Sequence, residues 1–249
     1  MIKAVVRDRR LRWPIDKIFE SSVRNQTVRR VERRAKYILI GFDSGTAIVH
    51  LGMSGSLRLV SADIPPRPHD HWDMVLDTER VLRFHDPRRF GSLHWALGDP
   101  LAHSLLAKLA PEPLSKGFDA DYLHHATRKR SVAIKHLIMN SQIVVGVGNI
   151  YASEALFRAH ISPRRSARRI TRAESKALVS AIKDVLSEAI EIGGTTLRDY
   201  VNAEGTPGYF AQRLYVYERS KQPCRICKAP IKQFTQGQRS TYWCPGCQR

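Results

Sequence analysis

Cysteine is scarce in this chain: 249 residues hold four, and none occurs before position 224. Acidic residues are also few, 23 Asp+Glu against 41 Lys+Arg, which leaves a formal charge of +18. Long apolar runs are missing. Stretches such as residues 143–147 fall far below the ~18 residues needed to cross a bilayer, so a membrane protein is not expected. The opening Met1-Ile2-Lys3 runs into Arg7, Arg9, Arg10 and Arg12 without an apolar core, so no secretory signal is read and a cytoplasmic location is expected. No internal repeat and no low-complexity tract interrupts the chain.

What is present is enough to fold. A 43% hydrophobic content argues against disorder as the main state. The length suits one large domain or two modest ones. The charge excess points to a polyanionic partner, nucleic acid first. Composition alone leaves an enzyme and a ribosome-type structural protein equally open.

The four cysteines, Cys224, Cys227, Cys244 and Cys247, follow the pattern C-x2-C-x16-C-x2-C. That spacing fits a four-thiolate zinc site, with two knuckles brought together by a hairpin. Two disulfides are the competing reading, disfavoured without an export signal or any further cysteine. With four thiolate ligands the metal keeps no open position, so its expected role is structural. The intervening segment carries Lys228, Lys232, Gln233, Gln236, Gln238 and Arg239, as a DNA-contacting tip would, although zinc ribbons also bind proteins.

Residues 37–42 and 46–51 are apolar runs joined by Asp43-Ser44-Gly45, a hairpin signal, and residues 72–76 and 81–84 form a second pair. A sandwich or flattened barrel over residues 1–95 would bury them. From about residue 100 the period becomes helical: Leu101, Leu105, Leu106 and Leu109 predict a helix ending before Pro111-Glu112-Pro113. Further helices are predicted at 119–127, 133–139, 150–159 and 172–192. The last has a capping box at Thr171 and Glu174, a core stripe of Leu178, Ile182, Val185 and Ala189, and a stop at Gly193-Gly194. Basic residues cluster at Arg29–Lys36, Arg88-Arg89, Arg128–Arg130 and Arg164–Arg169. Together these predict a DNA-facing side.

Seven strings occur in order: Arg34-Ala35-Lys36-Tyr37, His50-Leu51-Gly52-Met53-Ser54-Gly55, Asp86-Pro87-Arg88-Arg89-Phe90-Gly91, Val145-Gly146-Val147-Gly148-Asn149-Ile150-Tyr151, Gly193-Gly194-Thr195-Thr196-Leu197-Arg198-Asp199, Pro207-Gly208-Tyr209-Phe210 and the cysteine finger. Across essentially the whole chain this resembles the bacterial formamidopyrimidine-DNA glycosylase and endonuclease VIII family of base-excision repair. The resemblance implies an α+β protein: an N-terminal β-sandwich (1–95), a helix–two-turn–helix domain with a lesion-capping loop (96–213) and a C-terminal zinc-ribbon finger (214–249). It implies a glycosylase and abasic-site lyase that excises oxidised purines from double-stranded DNA. One structural zinc ion is the implied cofactor, a monomer suits the task, and the location is the bacterial cytoplasm at the nucleoid. The target base must leave the stack, since its glycosidic carbon is out of reach inside a duplex.

The same resemblance assigns roles to residues. Lys36 matches the lysine that contacts phosphate and assists proton transfer, and Arg239 the fingertip arginine on the phosphates around the lesion. Met53, Arg88 and Phe90 match the three side chains that fill the space left by the flipped base. An apolar wedge, a cation and a stacking ring suit that space, although spacing alone would place Met53 and Phe90 in a core. His69, Arg88 and Arg130 match backbone and orphan-base contacts, and Asn149 a phosphate-binding asparagine. Residues 197–209 resemble the loop that closes over the extruded base, with Gly205 and Gly208 giving it freedom.

The chain departs from the family at its first residues. Members open with a Pro-Glu string whose proline amine attacks sugar C1′ and whose glutamate supplies acid–base chemistry. Here Met1-Ile2-Lys3-Ala4-Val5-Val6-Arg7 resembles a strand inside the usual start. A sequence cut short at its start is the favoured explanation. The alternative is a lesion- or abasic-DNA-binding protein without glycosylase activity. For these 249 residues alone the expectation is DNA affinity with little or no excision, and Lys36 is no obvious substitute nucleophile.

Overall fold

The computed structural model describes residues 3–193 and 210–249. They fall into two compact units, one running to Ala107 and including Gly193, the other comprising Lys108–Ile192 and Phe210–Arg249.

The first unit is two antiparallel four-stranded sheets. Its elements are β1 (Lys3–Val6), α1 (Phe19–Val23), β2 (Arg30–Arg34), β3 (Tyr37–Gly41), β4 (Thr46–His50), β5 (Ser56–Ser61), β6 (Asp70–Val75), β7 (Arg80–His85) and β8 (Ser92–Ala96). One sheet runs β1-β6-β7-β5 and the other β2-β3-β4-β8. Trp72, Met74 and Phe84 from the first and Ile40, Ala47, Val49 and Leu93 from the second share one buried cluster, closed by Phe19 and Val23 of α1. A sandwich, not a barrel, is therefore the outcome. Trp72 and Phe84 stack at 5.3 Å. β1 is held by register, Lys3 opposite Val75 through Val6 opposite Trp72. Beyond its end, Arg7 grips Asp73 with two hydrogen bonds of 2.9 and 2.7 Å, and Arg83 grips the same carboxylate from β7 at 3.0 Å. Burial pushes that carboxyl up, but the two guanidinium groups outweigh it and hold it low.

Two predicted hairpins are present, β3–β4 and β6–β7. The basic run before Tyr37 is itself strand β2, an edge strand with Arg30, Val31, Glu32 and Arg33 exposed. Charge on an exposed edge discourages pairing with another chain. The helix predicted from Leu101 to Leu109 is absent. Asp99 accepts the Leu101 N–H and starts a single 3-10 turn at Pro100–Ala102, after which His103 is extended. The His103 ring then accepts the Leu105 N–H at 3.3 Å. Only Leu106 of the predicted stripe is buried below a tenth; Leu101 is half exposed, so the spacing had no core to serve.

The second unit contains α2 (Ala120–Arg128), α3 (Ile134–Ile138), α4 (Asn149–Arg158), α5 (Arg172–Glu191), β9 (Lys232–Gln236) and β10 (Arg239–Trp243). Asp119 caps α2. Both halves of the Thr171–Glu174 capping box are formed on α5, and Leu178, Ile182, Val185 and Ala189 are its buried face. Between α3 and α4 the chain makes two turns. The first is tied by Ile143 and Val144 N–H groups on the Asn140 carbonyl, and the second passes through Gly146 at φ +80. The result is a helix, two turns and a helix.

Candidate nucleic-acid interface

In the first unit, four loops carry the predicted contacts. Lys36 stands exposed in the two-residue turn Ala35-Lys36, where Arg34 faces Tyr37 and Ala35 takes φ +55. The Tyr37 ring lies 4.9 Å from that of His50. Burial lowers the His50 pKa, and the charges of Lys36 and Arg12 lower it further. Its imidazole is therefore neutral near pH 7, and Nδ1 accepts the Gly52 N–H at 2.9 Å.

Met53 and Phe90 are 69% and 44% exposed, so neither is core. The Arg88 guanidinium lies 4.8 Å above the Phe90 ring. Gly52, at φ +73, brings the Met53 loop against the Phe90-Gly91 backbone: a Cβ there would sit 2.6 Å from the Gly91 nitrogen. Gly91 is equally confined, since its Cβ would lie 2.5 Å from the Phe84 ring and 2.8 Å from the His50 carbonyl.

Both loops end on one carboxylate. Asp86 is fully buried and accepts the Ser54 hydroxyl at 2.7 Å through Oδ1 and the Gly91 N–H at 2.7 Å through Oδ2. Its own N–H donates to the His69 carbonyl at 3.0 Å. Its carbonyl accepts Arg89 N–H at 3.2 Å and His71 Nε2–H at 2.8 Å. His69 is exposed at φ +71, with its ring 6.1 Å from that of His85. The structure thus brings Met53, His69, Arg88 and Phe90 onto segments meeting at Asp86. Asp86 opens the motif Asp86-Pro87-Arg88-Arg89-Phe90-Gly91, and the resemblance implies no role for it. The signal lay in an acidic residue beside Pro87 in so basic a chain.

In the second unit, Asn149 opens α4. Its Nδ2 donates to the Ser240 carbonyl at 3.0 Å and to the Tyr217 hydroxyl at 3.2 Å, so its amide is engaged with the finger. Arg239 is exposed at the start of β10, one residue past the Gly237-Gln238 turn, whose φ values are +55 and +60. A Cβ on Gly237 would stand 2.7 Å from His136 Nε2, so the fingertip rests on α3. Beside it, Lys135 of α3 is 1% exposed and reaches Thr241 Oγ1 at 2.7 Å. The sequence reading missed this lysine, although a cation inside Ile134-Lys135-His136-Leu137-Ile138 was a visible signal. Arg130 lies on another segment, exposed, with a hydrogen bond to the Ala126 carbonyl at 2.6 Å. The expected loop at 197–209, with Gly205 and Gly208, lies outside the described residues.

The cysteine cluster fits zinc. All four Sγ atoms lie within 4.8 Å of one another, and a tetrahedron with Zn–S of about 2.3 Å needs edges of about 3.8 Å. Gly246 leaves the room this requires, because a Cβ there would be 2.8 Å from Cys227 Sγ. Cys224 and Cys244 are buried with Phe157 of α4, Val216, Ile231 and Tyr242, so the metal knot is built into a core. Glu154 completes the attachment, its carboxylate accepting the N–H groups of Tyr215, Val216 and Tyr217 at 2.8 to 2.9 Å.

Comparison with known proteins agrees over the whole length. Residues 1–93 match the formamidopyrimidine-DNA glycosylase N-terminal domain, 109–201 its H2TH domain, and 221–249 the zinc finger found in FPG and IleRS. The formamidopyrimidine-DNA glycosylase of Thioalkalivibrio sulfidiphilus is 59% identical over 98% of this chain and 90% of its own length. That of Methylococcus capsulatus is 53% identical, with 98% and 90% covered. Among solved structures, the MutM (Fpg) protein of Thermus thermophilus matches at TM-score 0.88 and 37% identity, covering 99% of this chain and 90% of the other. Lactococcus lactis Fpg in complex with DNA containing an abasic site matches at 0.92 and 29%, with 99% and 91% covered. A four-cysteine finger, a helix–two-turn–helix and loops that expose Met53 and Phe90 are thus found together in a chain that belongs to the formamidopyrimidine-DNA glycosylase family.

Proposed function

We propose that this protein is a base-excision repair glycosylase that recognises oxidised purines in duplex DNA, with Met53, Arg88 and Phe90 as the groups that enter the duplex. One observation carries the reading: two large apolar side chains and a stacked arginine stand in solvent on loops fastened to a buried carboxylate. Packing offers no reason for that exposure. Insertion into a base stack does: an apolar wedge replaces the flipped nucleotide, a ring stacks, and a guanidinium hydrogen-bonds the orphaned partner. The proteins similar to this chain are named as glycosylases, which favours an enzyme over a binding module.

The remaining residues divide between backbone and chemistry. Lys36, His69, Arg130 and Arg239 supply phosphate contacts, which position the duplex without reading sequence, and Asn149 joins them only by releasing the Ser240 carbonyl or the Tyr217 hydroxyl. By the family resemblance, Lys36 is the group that moves a proton during strand cleavage. Zinc, when bound, supplies no reaction step and holds the fingertip that presents Arg239. Among the described residues no helix is long and apolar enough to cross a membrane. A DNA substrate makes the cytoplasm, at the nucleoid, the expected place of action.

The test has two arms. The 249-residue chain should bind a duplex with a tetrahydrofuran abasic analogue at least tenfold more tightly than an undamaged duplex. Equal affinity would overturn the reading. Borohydride trapping on an 8-oxoguanine duplex should appear when a Pro-Glu-led segment is added, and its continued absence would leave only the binding module.

A further inference from the structure

The lesion-void residues come from two loops that the sequence separates by more than thirty positions. Met53 follows β4, and Arg88 and Phe90 follow β7. A void left by one nucleotide admits three side chains only if they arrive in fixed relation, because a loop that lags leaves part of the gap to water. Exposed loops fix one another poorly through side chains that must stay free to enter DNA. The constraint has to come from underneath.

Asp86 supplies it. One oxygen holds Ser54, the neighbour of Met53, and the other holds Gly91, the neighbour of Phe90. Both bonds are 2.7 Å, both are buried, and the carboxylate itself is 0% exposed. Hydrogen bonds to an ionised acceptor are about twice as strong as neutral ones, and in a dry site neither is exchanged for water. The same residue fixes its own turn through the His69 carbonyl and the His71 ring. Gly52 and Gly91 let the two backbones meet with no side chain between them.

Resting on the glycosylase reading, we propose that Asp86 is the positioning residue that couples the Met53 loop to the Arg88–Phe90 loop, so that wedge, cation and ring enter damaged DNA as one unit. Asp86 touches no DNA in this role. It acts through Ser54 on one side and Gly91 on the other.

Ser54→Ala cuts one tie and leaves the rest of the sandwich intact. The loss of one charge-assisted bond is expected to reduce the preference for a tetrahydrofuran duplex over an undamaged one by about tenfold. Affinity for the undamaged duplex should stay within about twofold, because phosphate contacts supply most of it. With 2-aminopurine opposite the analogue, wild type should change its fluorescence by filling the void, and Ser54→Ala should leave it near the free-duplex level. In a Met53→Ala background, Ser54→Ala should have no further effect, since the tie then has nothing to place. Asp86→Asn, which keeps an acceptor for Gly91 but loses the charge, should fall between the two. A purely structural Asp86 predicts equal losses on both duplexes and additive effects with Met53→Ala; either result overturns the coupling. Unchanged preference in both Ser54→Ala and Asp86→Asn overturns it as well. If wild type itself shows no preference for the analogue, the glycosylase reading is what has failed.

Discussion

Lys135 on α3 donates through Nζ to Thr241 Oγ1 on β10 at 2.7 Å, from a position almost sealed from water. The ammonium also reaches the Ser240 carbonyl at 3.3 Å, the same carbonyl that Asn149 holds at 3.0 Å. The fingertip therefore hangs on two polar side chains from the helical part of its own unit.

That burial gives a pH signature. Burial brings the Lys135 pKa down to about 8, and the Arg239 charge adds to the effect. A lysine depressed in the folded state stays protonated longer in the unfolded one, so its burial penalty is full below pH 8. Between pH 8 and the ordinary lysine range near 10.5 the penalty is relieved, and its contribution to stability rises with pH. Lys135→Met removes this component. The difference between the urea midpoints of wild type and variant should change between about pH 7.5 and 10; a constant difference would contradict the assignment.

Met53→Ala and Phe90→Ala should separate binding from folding. Met53 is 69% and Phe90 44% exposed and neither belongs to the buried core, so thermal stability should change by no more than about 1 kcal/mol. Affinity for an abasic-analogue duplex should fall by about tenfold or more for each, the scale of a lost stacking contact. A drop in melting temperature that matched the loss of binding would return these residues to a packing role.

Removing zinc should damage the finger and spare the helices. Chelation, or Cys244→Ser, opens the cluster that Cys224 and Cys244 share with Phe157, Val216 and Ile231. DNA affinity should fall sharply while most of the helical circular dichroism remains, because α5 is capped and packed independently of the cysteines. Full DNA binding by the metal-free chain would refute this role for the metal.

Arg239→Ala should act through charge alone. The side chain is exposed at the hairpin tip, and its removal should lower the slope of log affinity against log salt by about one phosphate contact, uniformly across DNA sequences. An unchanged slope would place Arg239 away from the backbone.

Much of the fold follows from local rules written in the chain. The Thr171–Glu174 box, the Asp119 cap and the Asp43-Ser44-Gly45 hairpin each depend on neighbours in sequence, and each is formed in the structure. The leucine spacing at 101–109 failed because periodicity reports a helix only when a core receives its face. Strand β2 was hidden inside a basic cluster for the reverse reason, since an edge strand can be polar on both faces. Among site residues, the four cysteines were legible because thiolate spacing is itself the geometry of the ion.

The sequence by itself determined the zinc ligands, the order of β-rich and helical segments and, through its ordered motifs, the family. Its resemblance to that family pointed to Met53, Arg88, Phe90, Lys36, Asn149 and Arg239, though not to what holds them. Only the tertiary structure decided that Met53 and Phe90 stand in solvent, that Asp86 reaches across to the Met53 loop, and that Lys135 and Asn149 share one carbonyl of the finger. Those pairings link residues 32 or more positions apart. No local pattern encodes them, because a buried hydrogen bond is chosen by which surfaces meet once the core has closed.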